Sequence, residues 1–266
     1  MNIRIAALHR YPVKSLSPEP LSSAELKAGH HFPGDRVFAI ENGPSGFDPE
    51  NPVHQPKDKF LVLMRHADLA RLKTRYLDET TTLVIEEGGR EVARGDLSTG
   101  EGRLAIEAFI RRFMPKALRG ALKILTAPDG LRFTDSRRGF VSIINLASVQ
   151  ALENALGAPV DPLRFRGNLH VEGLAPWQEF DLVDKVLATP SGVRLRITKR
   201  IERCAATNVD PATGLRDMQI PKGLMQAFGH VDCGVYAEVL SGGRIAEGDS
   251  FAPEQAALAL ASSGKQ

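Results

Sequence analysis

The chain has 266 residues, of which 42% are hydrophobic and 25% charged, and a net charge of +2. That length suits one large domain or two modest ones, either able to bury a core. A charge this mild and aromatics at 6% argue against a nucleic-acid partner, which would need phosphate neutralisation or base stacking.

The first forty residues read as strand, turn, strand: "IRIAAL" is apolar, "RYPVKSL" carries a proline that ends regular pairing, and "HHFPGDRVFAIEN" holds a Pro-Gly break before a β-rich run. No apolar stretch approaches the roughly 20 residues of a membrane span, and the apolar run near Met1 is too short for a signal peptide. The expectation is a cytoplasmic protein with no membrane partner. Residues 42–58, "NGPSGFDPENPVHQPKD", are rich in Pro, Gly, Asn and Asp and predict a long loop, a feature that often carries function. "KFLVLMRHADL", "RLKTRYLD" and "TTLVIEEGGREVARGDL" follow. The last two alternate around turn residues, which predicts a meander of short strands.

A helix is expected over 102–114, "GRLAIEAFIRRFM", with Ser98 or Thr99 as N-cap, Pro115 as its stop, and Ala105, Phe109 and Phe113 on the buried face. "ALKILTAPDGLRF" reads as a strand entering a turn. "FVSIINLASVQALENALG" reads as a strand running into a helix that stops at Gly157. From about 160 to 252 strand signals dominate, and "APEQAALALASSGKQ" reads as a small-residue, partly helical tail. The expected fold is mainly β (α+β) and barrel-like, in two lobes joined near residue 120.

Several cations sit beside backbone breaks: Lys14 and Ser15 in "YPVKS", Arg36 in "GDR", and Arg164, Arg166 and Asn168 in "RFRGN". Side chains and exposed N–H groups in such places can share an anion. Cys204, in "ERCAATNVDPATG", has Arg200 and Arg203 close in sequence, and cations favour a thiolate. The residues alone leave an inert thiol, a metal ligand and a nucleophile all open. Zinc would need three or four ligands, and the His230–Cys233 pair lies far from Cys204. Cys233, in a strand beside Gly234, reads as a small core residue. With two cysteines the chain cannot supply the four or so thiolates of an iron–sulfur cluster.

Taken in order, "YPVKS", "GDR", "RFRGN" and "RCAATNVDPATG", with "FGHVDCGVYAEVLSGGRIAEGDSF" at the close, resemble the MOSC family, in the branch with an N-terminal MOSC-associated domain. The resemblance runs from about residue 3 to 252. That branch includes the mitochondrial amidoxime-reducing component and bacterial reductases of N-hydroxylated compounds, which use the molybdenum cofactor. The resemblance implies a MOSC-type β-barrel over 119–252 and an N-terminal region over 1–118. In that region residues 1–40 pack on the barrel, 41–118 form a smaller, discontinuous α/β lobe, and the 42–58 loop frames the site's mouth. Residues 253–266 form the tail.

By the same resemblance, Cys204 is the thiolate ligand to molybdenum, and Lys14, Ser15, Arg36, Arg166 and Asn168 hold the cofactor. The "TDS" of 134–136 resembles an acidic-hydroxyl segment near the metal, which makes Asp135 the candidate proton donor and Ser136 a cofactor contact. Gly167 stands where the family usually has proline. The expected activity is reduction of small N-hydroxylated or N-oxide substrates with electrons from a separate ferredoxin-, cytochrome- or flavoprotein-type partner. A non-enzymatic cofactor carrier, or a sulfur carrier using Cys204, is the alternative.

Overall fold

A computed structural model describes residues 1–137 and 140–254. The expected tail began at residue 253, but Pro253 belongs to the last strand, and residues 255–266 lie outside those described. In chain order the elements begin with β1 (Ile3–Arg10), β2 (Glu19–Leu21), β3 (Ser23–Leu26), β4 (Phe38–Asn42), β5 (Lys73–Leu77), β6 (Thr82–Glu87) and β7 (Arg90–Asp96). Then come α1 (Gly100–Phe113), β8 (Leu122–Thr126), β9 (Val141–Asn145), α2 (Leu146–Leu156), β10 (Leu169–Glu172), β11 (Val186–Ala188) and β12 (Arg194–Glu202). The chain closes with α3 (Ile220–Phe228), β13 (Asp232–Ser241), β14 (Gly243–Ala246) and β15 (Ser250–Pro253).

Seven strands close a barrel in the order β1, β10, β9, β13, β12, β11, β15 and back to β1, with β2 attached to the outer edge of β1. Every pairing is antiparallel except β9 with β10, the two strands joined through α2. Closure leaves no open edge to aggregate, and alternation sends one set of side chains inward. Leu195 and Ile197 of β12 and Val235, Ala237 and Val239 of β13 meet Ile3, Ile5 and Leu8 of β1 in one core. Ile197 is fully buried, and truncating it to Ala would cost about 2–5 kcal/mol. The barrel therefore cannot close without the chain's first residues.

A second lobe holds the β5–β6–β7 meander, the β4–β8 pair and α1, around a core that includes Phe38, Leu83, Ile106 and Ile110. Thr99 caps α1 by accepting from the N–H of Gly102 at 3.0 Å. The buried face of α1 differs from the expected one: it is Gly102, Ile106, Phe109 and Ile110, while Ala105 is exposed. The reason is a close approach to β7, where a Cβ on Gly95 would meet the carbonyl oxygen of Gly102 at 2.1 Å.

"KFLVLM" is no strand of the meander. Its alternation is real, with Leu61 and Leu63 facing the lobe core and Phe60 and Val62 facing Phe133, but only a single bridge from Phe60 to Glu41 pairs it. Alternation reports two buried faces and does not by itself supply a partner strand. The helix α3 stands in a stretch whose strand signals hide it, because Gly223 weakens its propensity and its burial comes from packing on α2. Arg10 of β1, braced by Glu19 of β2 at 2.8 Å, ties barrel to lobe through both carboxylate oxygens of Asp78 at 2.9 and 2.6 Å.

Candidate functional site

At one end of the barrel, β12, β13 and β9 carry Lys199, Tyr236 and Ser142 on a single rung, and the N–H of Asn168 extends it by donating to the Ser142 carbonyl at 2.8 Å. Above that rung opens a cavity of about 550 Å³, roofed by the second lobe. Every residue singled out by sequence lines it: Lys14, Ser15, Arg36, Asp135, Ser136, Arg166, Asn168 and Cys204. They come from five separate stretches of chain. Among the described residues the lining holds eight cationic side chains against four carboxylates, so the cavity is built for an anion.

Ser15, Arg36 and Arg166 hold left-handed backbone, with φ of 70°, 48° and 53°. Each such residue costs roughly 1–2 kcal/mol, which the surrounding structure must offset. What it yields is position. Arg36 donates to the carbonyl oxygen of Arg166 at 2.9 Å, and their guanidinium carbons lie 4.4 and 4.2 Å from the ring centre of the buried Tyr11. Arg36 also pairs with Asp35, whose other oxygen accepts from the N–H of Tyr11 at 2.8 Å.

Among the described residues Arg166 has no carboxylate partner: it donates to the carbonyl of Leu16 at 2.8 Å, and its second terminal nitrogen is buried without a hydrogen bond. Burial and the adjacent Arg36 charge push its pKa down to about 10. A buried guanidinium nitrogen with nothing to bond is a place for an acceptor from outside the chain.

The thiol of Cys204 sits where β12 ends and a short 3-10 turn begins, and its own carbonyl accepts from the N–H and hydroxyl of Thr207 at 3.0 and 2.9 Å. The ammonium of Lys57 stands near the thiol and 3.6 Å from Asp135. Arg203 spends its donors on the carbonyls of Phe165, at 2.8 Å, and Cys233, at 2.7 Å, so it braces the wall. Asp210 anchors the turn beyond, accepting from Thr213 N–H at 2.7 Å and pairing with Arg164 at 3.2 Å.

Lys14 grips Asp135 at 2.5 Å and the carbonyl of Phe133 at 2.9 Å. Burial works against ionisation of Asp135, but Lys14, Lys57 and Arg36 prevail and hold its pKa down to about 2. The proton-donor role expected for Asp135 does not fit this setting, because the carboxyl carries no proton to give near neutral pH. Asn168 is buried and its carboxamide already serves the wall: the oxygen accepts from Ser142 N–H at 3.0 Å and hydroxyl at 2.8 Å, and the nitrogen donates to the His9 carbonyl at 3.2 Å. Ser136 lies at the cavity edge, its carbonyl accepting from Thr134 at 2.8 Å.

Sequence reasoning missed Lys57, Lys199 and Tyr236 as lining residues. Lys57 lay inside the loop expected to frame the mouth, so the loop was visible and the residue was not. Cys233 is fully buried and its thiol is pushed up to about 12 by burial, while His230 packs edge-on against Trp177 and Phe180, at 5.0 and 5.3 Å between ring centres. Among the described residues no group of three or more His, Cys, Asp or Glu side chains is placed to hold a metal ion. Nor, among them, is any helix long and apolar enough to cross a membrane.

Residues 2–110 match the family described as the MOSC N-terminal beta barrel domain, and residues 131–252 match the MOSC domain. The MOSC domain family is associated with binding of the molybdenum cofactor. A comparison with curated proteins found no match. Among solved structures the chain is similar to the YUAD protein from Bacillus subtilis, with 13% identity, 94% of each chain covered and a TM-score of 0.46. It is also similar to YiiM from Geobacillus stearothermophilus, with 18% identity, 44% of this chain and 54% of that one covered and a TM-score of 0.35.

Proposed function

We propose that this chain, a protein with both MOSC domains, holds the molybdenum cofactor in the barrel-mouth cavity and reduces N–O bonds of small N-hydroxylated or N-oxide substrates. The observation that carries the reading is the convergence of Lys14, Arg36, Arg166 and Cys204 on one cavity from four distant points in the chain.

The residues present suit that cofactor. A pyranopterin ending in a phosphate needs cations, and Arg166 offers a buried nitrogen with no partner. A cavity of about 550 Å³ is of ligand size. Cys204 is a soft donor with no set of protein co-ligands around it among the described residues, so a metal there would bring its own ligands, as a dithiolate cofactor does. Cys204 would be the thiolate ligand, Lys14, Ser15, Arg36 and Arg166 would hold the phosphate end, and Ser136 would border the pterin. When bound, the cofactor supplies the two-electron chemistry that cleaves the N–O bond.

The chain's own residues then bind and orient. Asp135 fixes the ammonium groups of Lys14 and Lys57, and so holds the Lys57 charge beside Cys204. The electrons come from a separate redox protein. The test is molybdenum analysis of protein purified from a molybdenum-competent host, followed by benzamidoxime turnover with an artificial reductant. Molybdenum near one per chain, lost in Cys204→Ala, with benzamidine produced, is expected. A loaded protein that reduces nothing would be a carrier, and a protein without molybdenum would overturn the whole reading.

A further inference from the structure

Tyr11 directly follows β1 and is fully buried. Its backbone is pinned on both sides by the segment that carries Arg36. The N–H donates to Asp35 at 2.8 Å, and the carbonyl accepts from the N–H of Arg36 at 2.7 Å. Over its one ring lie two guanidiniums, Arg36 and Arg166, with their carbons 4.4 and 4.2 Å from the ring centre. Both arginines line the cavity and Tyr11 does not, so whatever Tyr11 contributes reaches a ligand through them.

The hydroxyl contributes no bond. Among the described residues it has no hydrogen-bond partner, and burial lifts its pKa to about 12 against the opposing pull of Arg166 and Arg36. Tyr11 is thus a neutral phenol at neutral pH and pairs with neither guanidinium as a phenolate. What remains is the ring face, whose negative quadrupole attracts a cation without neutralising it.

Two guanidiniums on one ring stand no farther apart than those two distances together allow, and like charges that close repel. Arg36 shares its charge with Asp35, whereas among the described residues Arg166 meets only the Leu16 carbonyl. The ring offsets the repulsion and leaves the charge on Arg166 available. The arginines are therefore organised before an anion arrives, and groups already ordered bind more tightly.

We propose that the aromatic face of Tyr11, and not its hydroxyl, positions Arg36 and Arg166 as a two-guanidinium clamp for the phosphate end of the cofactor. The inference rests on the cofactor reading for the owner of the phosphate; the clamp itself stands on the geometry of the ring and the two arginines. Tyr11 is a positioning residue.

The test replaces Tyr11 by phenylalanine and by its mono-, di- and trifluorinated analogues in the full-length chain, made in a host without the cofactor. Each protein is titrated with inorganic phosphate by calorimetry. Fluorine drains the ring face and changes its size little, so a packing role would not follow the series. Tyr11→Phe binds within about twofold of the wild type, and affinity then falls stepwise to about fivefold or more below it at the trifluorinated ring. If the most substituted ring does not fold, the earlier steps decide.

A flat or rising series overturns the proposal. So does a Tyr11→Phe protein that binds as poorly as the trifluorinated one, because the role would then belong to the hydroxyl. A wild type that binds no phosphate overturns it too. Molybdenum content of wild-type protein from a molybdenum-competent host separates the two readings. A falling series without molybdenum sinks the cofactor reading and leaves the clamp standing, and a flat series with molybdenum near one per chain does the reverse.

Discussion

Arg36 donates to the carbonyl oxygen of Arg166 across 2.9 Å, and both residues hold left-handed backbone, at φ 48° and 53°. One belongs to the segment between β3 and β4, the other to the turn before β10. The bond fastens the lobe-side wall of the cavity to the barrel.

Removing that guanidinium strands Asp35, which is 3% exposed and would keep only the Tyr11 N–H as partner. Arg36→Ala is expected to lower the unfolding free energy by about 3–5 kcal/mol. Adding Asp35→Asn should return part of that loss, because the orphaned charge goes with it. Urea unfolding of the two singles and the double measures the coupling; strict additivity would contradict the pairing.

The residue after Arg166 is Gly167, and its neighbour explains the small side chain. A Cβ on Gly167 would lie 2.3 Å from Cγ1 of Ile144, a fully buried side chain. Gly167→Pro should therefore destabilise by about 1–3 kcal/mol. Its cost should shrink by about 1 kcal/mol or more in an Ile144→Ala background, where the space is open. An equal cost in both backgrounds would mean that the ring's backbone demands, not Ile144, set the penalty.

The two thiols differ in access. Cys204 is half-buried at the cavity, and Cys233 is fully buried with its thiol pushed up to about 12. Iodoacetamide on cofactor-free native protein should add one label per chain, at Cys204, and reach Cys233 only in denaturant. Intact mass gives the count, and a Cys204→Ala protein labelled in the native state would contradict this assignment.

His170 is buried, its ring centre 4.8 Å from that of His9, and its Nε2 has no hydrogen-bond partner. Burial, with the neighbouring His9, depresses its pKa from 6.5 to about 3. The folded state thus binds its proton less readily than the unfolded one, so the contribution is whole above pH 6.5 and is lost as pH falls toward 3. The slope is at most about 1.4 kcal/mol per pH unit for one proton. His170→Phe should flatten the stability curve in that window. Asp135, depressed from 3.8 to about 2, makes its own loss as pH falls below 3.8, so the two windows overlap only at the acid end of the first.

Much of the site was legible because its residues sit at breaks that local chemistry announces. Pro12 before Lys14, Gly34 before Arg36 and Gly167 after Arg166 mark places where the chain leaves regular structure, and a cation at such a break is free to face a ligand. The polar setting of Cys204 marked it in the same way. Lys57 was hidden, since a lysine inside a long Pro-rich loop carries no sign of where the loop folds. Lys199 and Tyr236, paired across β12 and β13, were hidden for a different reason: strand alternation does not say which face another part of the chain will cover.

By itself, then, the sequence determined a largely β chain with turn-borne cations, a polar cysteine and too few thiols for a cluster of its own, since each of these follows from residue type and near neighbours. The tertiary structure decided the rest. Closing a seven-stranded barrel on its first strand brings Lys14 and Cys204 to one cavity, and Lys57 then sets the ionisation of Asp135 together with Lys14. Charges act through space, and distance along the chain says nothing of distance across a fold.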